Sequence, residues 1–529
     1  MLLACLLAAL ACARRDLPDD YANITPLPGG TATAIPAPAL GTARAPAAAA
    51  TLAPGLSPTA GKPSVTPFPT QDTADTPTPD ATRPSVVDRT VTEHYTVQSG
   101  DTLGQIGARY GVAPSQIADA NKIDLNAMLV VGQVLIIPLP ESQNLGPDFK
   151  ILPDSEFVYG PTAPGFDVAG FVASRHGYLA SYVESEPGSA LDGRAEATPM
   201  SGADIVSLTA RRYSVNPRLL LALLDYESGW VSNPKPSDST LAYPLGRVEA
   251  GREGLLLQLD WAADQMNLGY YSWRAGSLAA FTFPDGSLRV VARGLNAGTV
   301  GVQHFFALEL KASAWTQAVG PTGFSRTYRD LFGNPFALAV EPLVPPDLLQ
   351  PTLQLPFEDG KVWAFTGGPH GGWGDGSAWA ALDFAPPATA EGCTPSDEWV
   401  VASAPGEVVR SEYGAVLEDL DGDGNEGTGW VILYMHIESR DRVSAGTWLK
   451  TGDRIGHPSC EGGVATGTHV HLARKYNGEW IPADGALPFV LDGWVSTGLG
   501  KEYDGDLVRG DKSIEACDCR SPSNEISRP

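Results

Sequence analysis

Gly467-Thr468-His469-Val470-His471-Leu472 alternates apolar or small residues with two histidines. A period of two is the pattern of a strand with unlike faces, and it turns both imidazoles to the same side. Two imidazoles converging on one point can share a metal site, one as ligand and one as acid or base. Of the chain's eight histidines, His370, His436, His457, His469 and His471 all fall in the segment from 370 to 471.

Outward from this run the sequence reads as short strands. Ala415-Val416-Leu417-Glu418 and Trp430-Val431-Ile432-Leu433-Tyr434-Met435-His436-Ile437 flank a polar turn, which predicts a hairpin. Val400 to Val409 reads as strand, turn and strand, and Gly446 to Gly456 adds another short run. Together they predict an antiparallel all-β domain over 350–495, followed by a tail over 496–529.

The motifs in this domain resemble those of lysostaphin-type zinc endopeptidases of peptidoglycan. Leu433-Tyr434-Met435-His436 looks like their Leu-Tyr-x-His, Gly452-Asp453-Arg454-Ile455-Gly456 like their Gly-Asp-x-Ile-Gly, and Gly467-Thr468-His469-Val470-His471 like their Gly-x-His-x-His. The resemblance implies a duplicated hybrid motif-like barrel sandwich. It also implies one catalytic Zn²⁺ held by His370, Asp383 and His471, with His436 and His469 working beside it. The common pattern has a histidine four residues before the aspartate, where this chain has Trp379. His370 stands 13 residues before Asp383 across a glycine-rich loop, a longer interval that resembles the β-lytic branch. Two imidazoles and a carboxylate suit tetrahedral zinc and leave a fourth position for water, whose pKa zinc lowers to about 7. One of His436 and His469 would take a proton and the other stabilise an oxyanion. His457 fits no motif position and reads as structural or exposed.

Asp419-Leu420-Asp421-Gly422-Asp423-Gly424 opens like a calcium loop, and Asp419, Asp421 and Asp423 are candidate ligands for a structural Ca²⁺. The twelfth position is Trp430 rather than glutamate, so a polar hairpin turn is the alternative.

The chain of 529 residues carries a net charge of −25, the wrong sign for nucleic acid or for electrostatic docking on anionic lipid. Its length calls for several domains. Residues 1–15 are an apolar run read as an export signal without the usual basic start. Cys12 (or Cys5) would carry lipid if this is a lipoprotein signal; Ala11-Cys12-Ala13 alternatively allows simple cleavage. A lipid anchor is the one membrane contact expected. Residues 16–92 are Pro-, Thr- and Ala-rich and predict an extended linker. Export permits disulfides. Cys393 pairs most naturally with Cys460, while Cys517-Asp518-Cys519 is expected to be too tight for a mutual bond.

Residues 93–139 predict a β-α-α-β unit. Tyr95-Thr96-Val97, Gly100-Asp101-Thr102-Leu103, Ala120-Asn121 and Val131-Gly132-Gln133-Val134-Leu135-Ile136-Ile137-Pro138 resemble a LysM module. That resemblance implies binding of N-acetylglucosamine-containing glycan through Gly100, Asp101, Thr102 and Leu103 and through Met128, Leu129 and Val130. Residues 140–200 read as a connector packed on the next domain.

Residues 201–340 predict a mainly helical domain. In the helix 217–228, Asn216 is the N-cap, Pro217 the first helical residue and Gly229 the left-handed stop. Glu227 lies in its last turn, where the helix dipole raises a carboxyl pKa. Glu227-Ser228-Gly229, Gly254-Leu255-Leu256-Leu257-Gln258 and Leu295-Asn296-Ala297-Gly298 resemble the motifs of lysozyme-like lytic transglycosylases. Leu295 replaces the family's tyrosine, Asp260-Trp261 follows where Met-Pro is usual, and Tyr270–Pro284 reads as an aromatic insertion. Either Glu227 is a glycan-cleaving acid or the fold serves as spacer and grip.

The whole reads as an exported cell-envelope zinc endopeptidase, held to peptidoglycan glycan by LysM while it cuts stem or cross-bridge peptide. The alternatives are a non-catalytic cell-wall binding or activator protein and a transglycosylase acting through Glu227.

Overall fold

The computed structural model describes residues 89–98, 100–140, 145–186, 198–388 and 391–528. The signal segment with Cys5 and Cys12, and most of the linker, lie outside them. Among the described residues no helix is long and apolar enough to cross a membrane.

The first folded unit pairs strands Glu93–Thr96 and Val134–Ile137 antiparallel, Thr96 opposite Val134, around helices Leu103–Tyr110 and Pro114–Asn121. Thr102 and Gln105 close a reciprocal capping box at 3.2 and 2.9 Å, and Gly111 (φ 65°) ends the first helix. Val97, Leu103, Ile106, Ile117, Leu135 and Ile137 form its core. Met128 is 93% exposed and Gly100 sits at φ +87° in open space. The unit leans on a hairpin of the next domain, where Ala279 N–H donates to the Ala108 carbonyl at 2.9 Å.

In the helical domain, Gly202–Tyr213, Pro217–Ser228, Leu255–Ala275 and Ala297–Glu309 are the principal helices. Asn216 caps the second through Arg218 N–H (3.0 Å), and Gly229 (φ 69°) stops it. Ile151, Leu152, Phe157 and Val172, from the stretch read as a connector, enter the same core as Leu220 and Leu223. The aromatic stretch from Tyr270 is partly helical: Leu255–Ala275 runs through its start before the hairpin Ala280–Thr282 and Leu288–Val290.

The C-terminal part is a fully antiparallel sheet. Its order is Trp448–Leu449, Gly406–Glu412, Ala415–Asp419, Trp430–Met435, Val470–Tyr476, Ala381–Ala385, Val362–His370, Glu525–Ser527. Successive side chains take opposite faces. Leu382, Phe384, Val416, Ile432, Tyr434 and Leu472 face a core with Phe357, Phe365 and Ile455. Ala381, Leu417, Leu433, Met435 and Ala473 face the core of the helical domain. The sheet is thus covered on both sides, and Asp383 and His471 share the parity of the face turned to the helices.

The segment read as a tail is folded: Gly505–Arg509 and Lys512–Glu515 join Val490–Leu491 and Trp494–Gly498 in a second sheet, and Glu525–Ser527 extends the first. The expectation for Cys517 and Cys519 is corrected, because the two are bonded to each other. Cys519 N–H donates back to the Cys517 carbonyl (2.6 Å), and this three-residue turn sets the Cα atoms 5.0 Å apart, within disulfide range.

Candidate metal centre

Three strands bring the site together. His471 lies directly opposite Asp383, and Met435 opposite His471, so His436 follows just past the strand end. His370 ends the strand beside Asp383 and pairs with Ala381 through an irregular register. The glycines are required here: a Cβ on Gly367 would stand 2.6 Å from Asp383 Oδ2. His436 has φ 65°, a left-handed conformation that costs a non-glycine residue and is concentrated at functional sites.

His370 Nε2, His471 Nδ1 and Asp383 Oδ1 stand 2.9, 3.2 and 3.3 Å apart. Ligands about 2.0–2.1 Å from a tetrahedral zinc are separated by about 3.3 Å, so the three match one face of such a site. The outer nitrogens are all engaged. His370 Nδ1–H donates to the Gly368 carbonyl (2.8 Å), His471 Nε2–H to Gly372 (3.1 Å) and His469 Nδ1–H to Gly467 (2.7 Å). Those bonds leave lone pairs on the inner nitrogens, turned toward Asp383 Oδ1, a buried oxygen to which no hydrogen bond is donated. Lone pairs crowded on a carboxylate are stable around a cation. The residues present therefore fit a zinc ion.

Burial would push the Asp383 carboxyl up, but the His370 and His469 imidazoles overcome it and hold the group well below the usual range. Burial likewise lowers His370, and the Asp383 carboxylate outweighs it and draws the imidazole up. Burial lowers His471. Burial, then the neighbouring His469 and His471, hold His436 well below the ordinary imidazole value, so it is neutral at neutral pH. Its ring centre lies 4.4 Å from that of His469, and its Nδ1–H donates to the Glu461 carbonyl (3.1 Å).

His457 stands apart, buried against Trp399 (3.9 Å between ring centres) with Nδ1 bonded to the Glu398 carbonyl. Cys393 and Cys460 are bonded, with Cα atoms 5.7 Å apart. The bridge braces the approach to the histidine strand, where Thr468 Oγ1–H donates to the Thr394 carbonyl at 2.6 Å. Replacing both cysteines with serine is expected to cost about 2–4 kcal/mol, measured as a lower denaturant midpoint.

Two neighbours of the site escaped the sequence reading. The Tyr503 ring stacks on His370 at 4.2 Å and 19°, and Glu502 Oε1 accepts the Gly371 N–H at 3.2 Å. Both come from the supposed tail, and no motif or spacing signalled them.

The carboxylates of Asp419, Asp421 and Asp423 cluster, each offering an oxygen within 4.8 Å of the others. They accept backbone N–H groups of their own turn: Asp421 and Gly424 on Asp419, Asp423 on Asp421, Asn425 on Asp423. That is the bonding of a polar hairpin turn. Glu227 is half-buried in the helical domain; burial first, then Glu309, push its carboxyl up to about 7. Leu295, in the tyrosine position, is buried.

Residues 150–345 match the family described as LasA, N-terminal domain, and residues 95–138 match the LysM domain. Protease LasA of Pseudomonas aeruginosa (strain UCBPP-PA14) is 28% identical over 386 residues, 68% of this chain and 80% of that protein. The chain is LasA-like, with a LysM domain. The match spans residue 200, and residues from both sides of it, such as Leu179 and Leu220, share the helical core. Beta-lytic metalloendopeptidase of Lysobacter enzymogenes is 28% identical over 159 residues, 30% of this chain and 85% of that protein. Among solved structures, the metalloprotease pseudoalterin has a TM-score of 0.26 at 22% identity, covering 32% of this chain and 96% of that one.

Proposed function

We propose that this LasA-like chain is an extracellular zinc metalloendopeptidase that hydrolyses peptide bonds of bacterial peptidoglycan while its LysM domain holds the glycan. The observation that carries this is the convergence of His370, Asp383 and His471 with their lone pairs on one point. The names of the relatives, protease and metalloendopeptidase, agree with it. Zinc, when bound, supplies Lewis acidity and makes a water nucleophilic near neutral pH. His436, held neutral by burial, is the proton acceptor. His469, with Nε2 3.7 Å from Asp383 Oδ1, faces the same point and, when Nε2 also carries a proton, donates to the oxygen that gains charge. LysM engages N-acetylglucosamine-containing glycan through Gly100–Leu103 and Met128–Val130, and tethering raises the local concentration of peptide substrate. The finer architecture belongs to the same reading: a barrel sandwich around the antiparallel sheet, and a lysozyme-like arrangement of helices around Glu227. Zinc is the catalytic cofactor proposed, and the clustered carboxylates of Asp419, Asp421 and Asp423 are the candidate ligands of a structural Ca²⁺, with a polar hairpin turn as the alternative.

The test incubates the full chain with purified peptidoglycan, with and without a chelator. New free amines that disappear with chelator are the expected result. A purified protein that holds no zinc and releases no product would leave a non-catalytic wall-binding protein in its place.

The raised Glu227 carboxyl favours a second activity on glycan. A general acid works protonated, so anhydro-sugar ends would form below about pH 7 and fade as pH rises through that value. They would survive chelator and vanish in Glu227→Gln. Their absence from wild-type digests at pH 5 would remove this reading.

A further inference from the structure

His436 keeps an unfavourable backbone, φ 65°, directly after the strand Trp430–Met435. Such a conformation persists only where the surroundings over-determine it. Its peptide is held from two sides. The His436 carbonyl accepts the Ser459 N–H (2.7 Å) and Ser459 Oγ–H (2.9 Å), and Ile437 N–H donates to the Gly414 carbonyl (2.9 Å). Its ring is held through Nδ1–H, which donates to the Glu461 carbonyl at 3.1 Å. A proton fixed on Nδ1 leaves the lone pair on Nε2. The placing of the Glu461 carbonyl therefore decides which nitrogen of the proton acceptor is bare.

Glu461 is fixed through its backbone and through its side chain. Gly414 (φ 72°) lies against its peptide, where a Cβ would stand 2.4 Å from the Glu461 carbonyl oxygen, and Glu461 N–H donates to Ser459 Oγ at 3.0 Å. The two carboxylate oxygens have different partners. Oε1 accepts the Ser439 Oγ–H at 3.0 Å. Oε2 is buried, accepts no hydrogen bond among the described residues, and faces Arg442 Nη1 at 3.5 Å. The same Nη1 donates to the Ile437 carbonyl at 2.9 Å. One guanidinium nitrogen thus spans the residue after His436 and the residue that holds its ring. The Arg442 and Glu461 side chains are 14% and 12% exposed, so water screens the pair weakly. The base of the arginine is fixed as well: Val443 N–H donates to the Ile455 carbonyl at 2.8 Å, and a Cβ on Gly456 would lie 3.3 Å from Arg442 Cα. Arg440, two residues earlier, instead turns to the surface and pairs with Asp397 and Glu438.

We propose that Arg442 is a positioning residue for His436, acting through the Ile437 carbonyl and the Glu461 carboxylate to hold the imidazole with Nε2 free to take a proton. This rests on the zinc-peptidase reading and on His436 as its proton acceptor. Arg442 lies between the Leu433–His436 and Gly452–Gly456 motifs and belongs to neither.

The test uses the full chain with Arg442→Met, Arg442→Lys and Glu461→Gln, and with Arg440→Met as a control on the same loop. Zinc affinity is read by competition with a chromogenic chelator, and kcat and KM on solubilised peptidoglycan. Nitrogen-15 NMR of histidine-labelled protein reads the His436 tautomer, its signal assigned by its loss in His436→Ala. Arg442→Met is expected to lower kcat about 10-fold, short of the roughly 100-fold that a 1 Å misplacement can cost. KM and zinc affinity stay within a few-fold, and the His436 signal moves away from the Nδ1-protonated form. Arg442→Lys keeps the charge and recovers part of kcat, Glu461→Gln reproduces part of the loss, and Arg440→Met matches wild type. Thermal unfolding reports on folding; if Arg442→Met does not fold, Arg442→Lys and Glu461→Gln carry the same comparison. Unchanged kcat and an unchanged His436 signal would overturn the proposal and leave the peptidase reading standing. Zinc affinity falling as far as kcat would overturn it too, since the whole site would then be disturbed. A wild-type chain that binds no zinc fails the peptidase reading itself, and the proposal with it.

Discussion

Replacing His370 with alanine is expected to empty the metal centre and abolish peptide hydrolysis together. Of the three converging atoms, His370 Nε2 lies 2.9 Å from His471 Nδ1 and 3.2 Å from Asp383 Oδ1. Without it, two ligands remain for a site that needs three from the protein. Losing an outer partner of a ligand costs about 10- to 100-fold in affinity, and losing the ligand itself costs more. The side chain is buried and stacked on Tyr503. Zinc content by elemental analysis and amine release from peptidoglycan would check this. Retained zinc and activity would move the ligand role elsewhere, Trp379 being useless for it. Trp379 precedes the strand that begins at Ala381, and His370 enters across from the neighbouring strand instead.

His436→Ala is expected to separate binding from turnover. Its backbone is the strained turn after Met435, and its Nδ1–H is fixed by the Glu461 carbonyl. Removing a positioned acid or base typically costs about 10²- to 10⁴-fold in rate. None of the three ligands is touched, so zinc affinity should stay within a few-fold of wild type while kcat collapses. Because burial and two imidazoles keep His436 well below the ordinary value, wild-type kcat should show no loss through pH 6–7 from its protonation. A variant that loses zinc as readily as His370→Ala would make His436 a ligand and end this division of roles.

Much of the site was legible because strand periodicity is a local property. Alternation placed His469 and His471 together, and the hairpin reading placed His436 at the end of the adjoining strand, where register sets Met435 opposite His471. The Asn216 and Gly229 caps were legible for the same reason, since each is satisfied within its own turn. The C-terminal segment was not. Glu502 and Tyr503 reach the site through long-range pairing, with Tyr503 N–H on the Pro369 carbonyl (3.0 Å) and Gly368 N–H on the Tyr503 carbonyl (2.8 Å), and such pairing leaves no mark on local composition. The Cys517–Cys519 bond was misjudged from separation alone, which carries no information on the turn between them.

By itself the sequence determined the LysM unit, the antiparallel sheet and the candidate ligands His370, Asp383 and His471 that the structure brings together, because each rests on spacing a few residues long. Only the tertiary structure decided that the metal-bearing face of the sheet is the one covered by the helical domain. Leu433, Met435 and Ala473 are apolar on a face that the strands cannot cover themselves, and they are buried in one core with the residues of the helical domain.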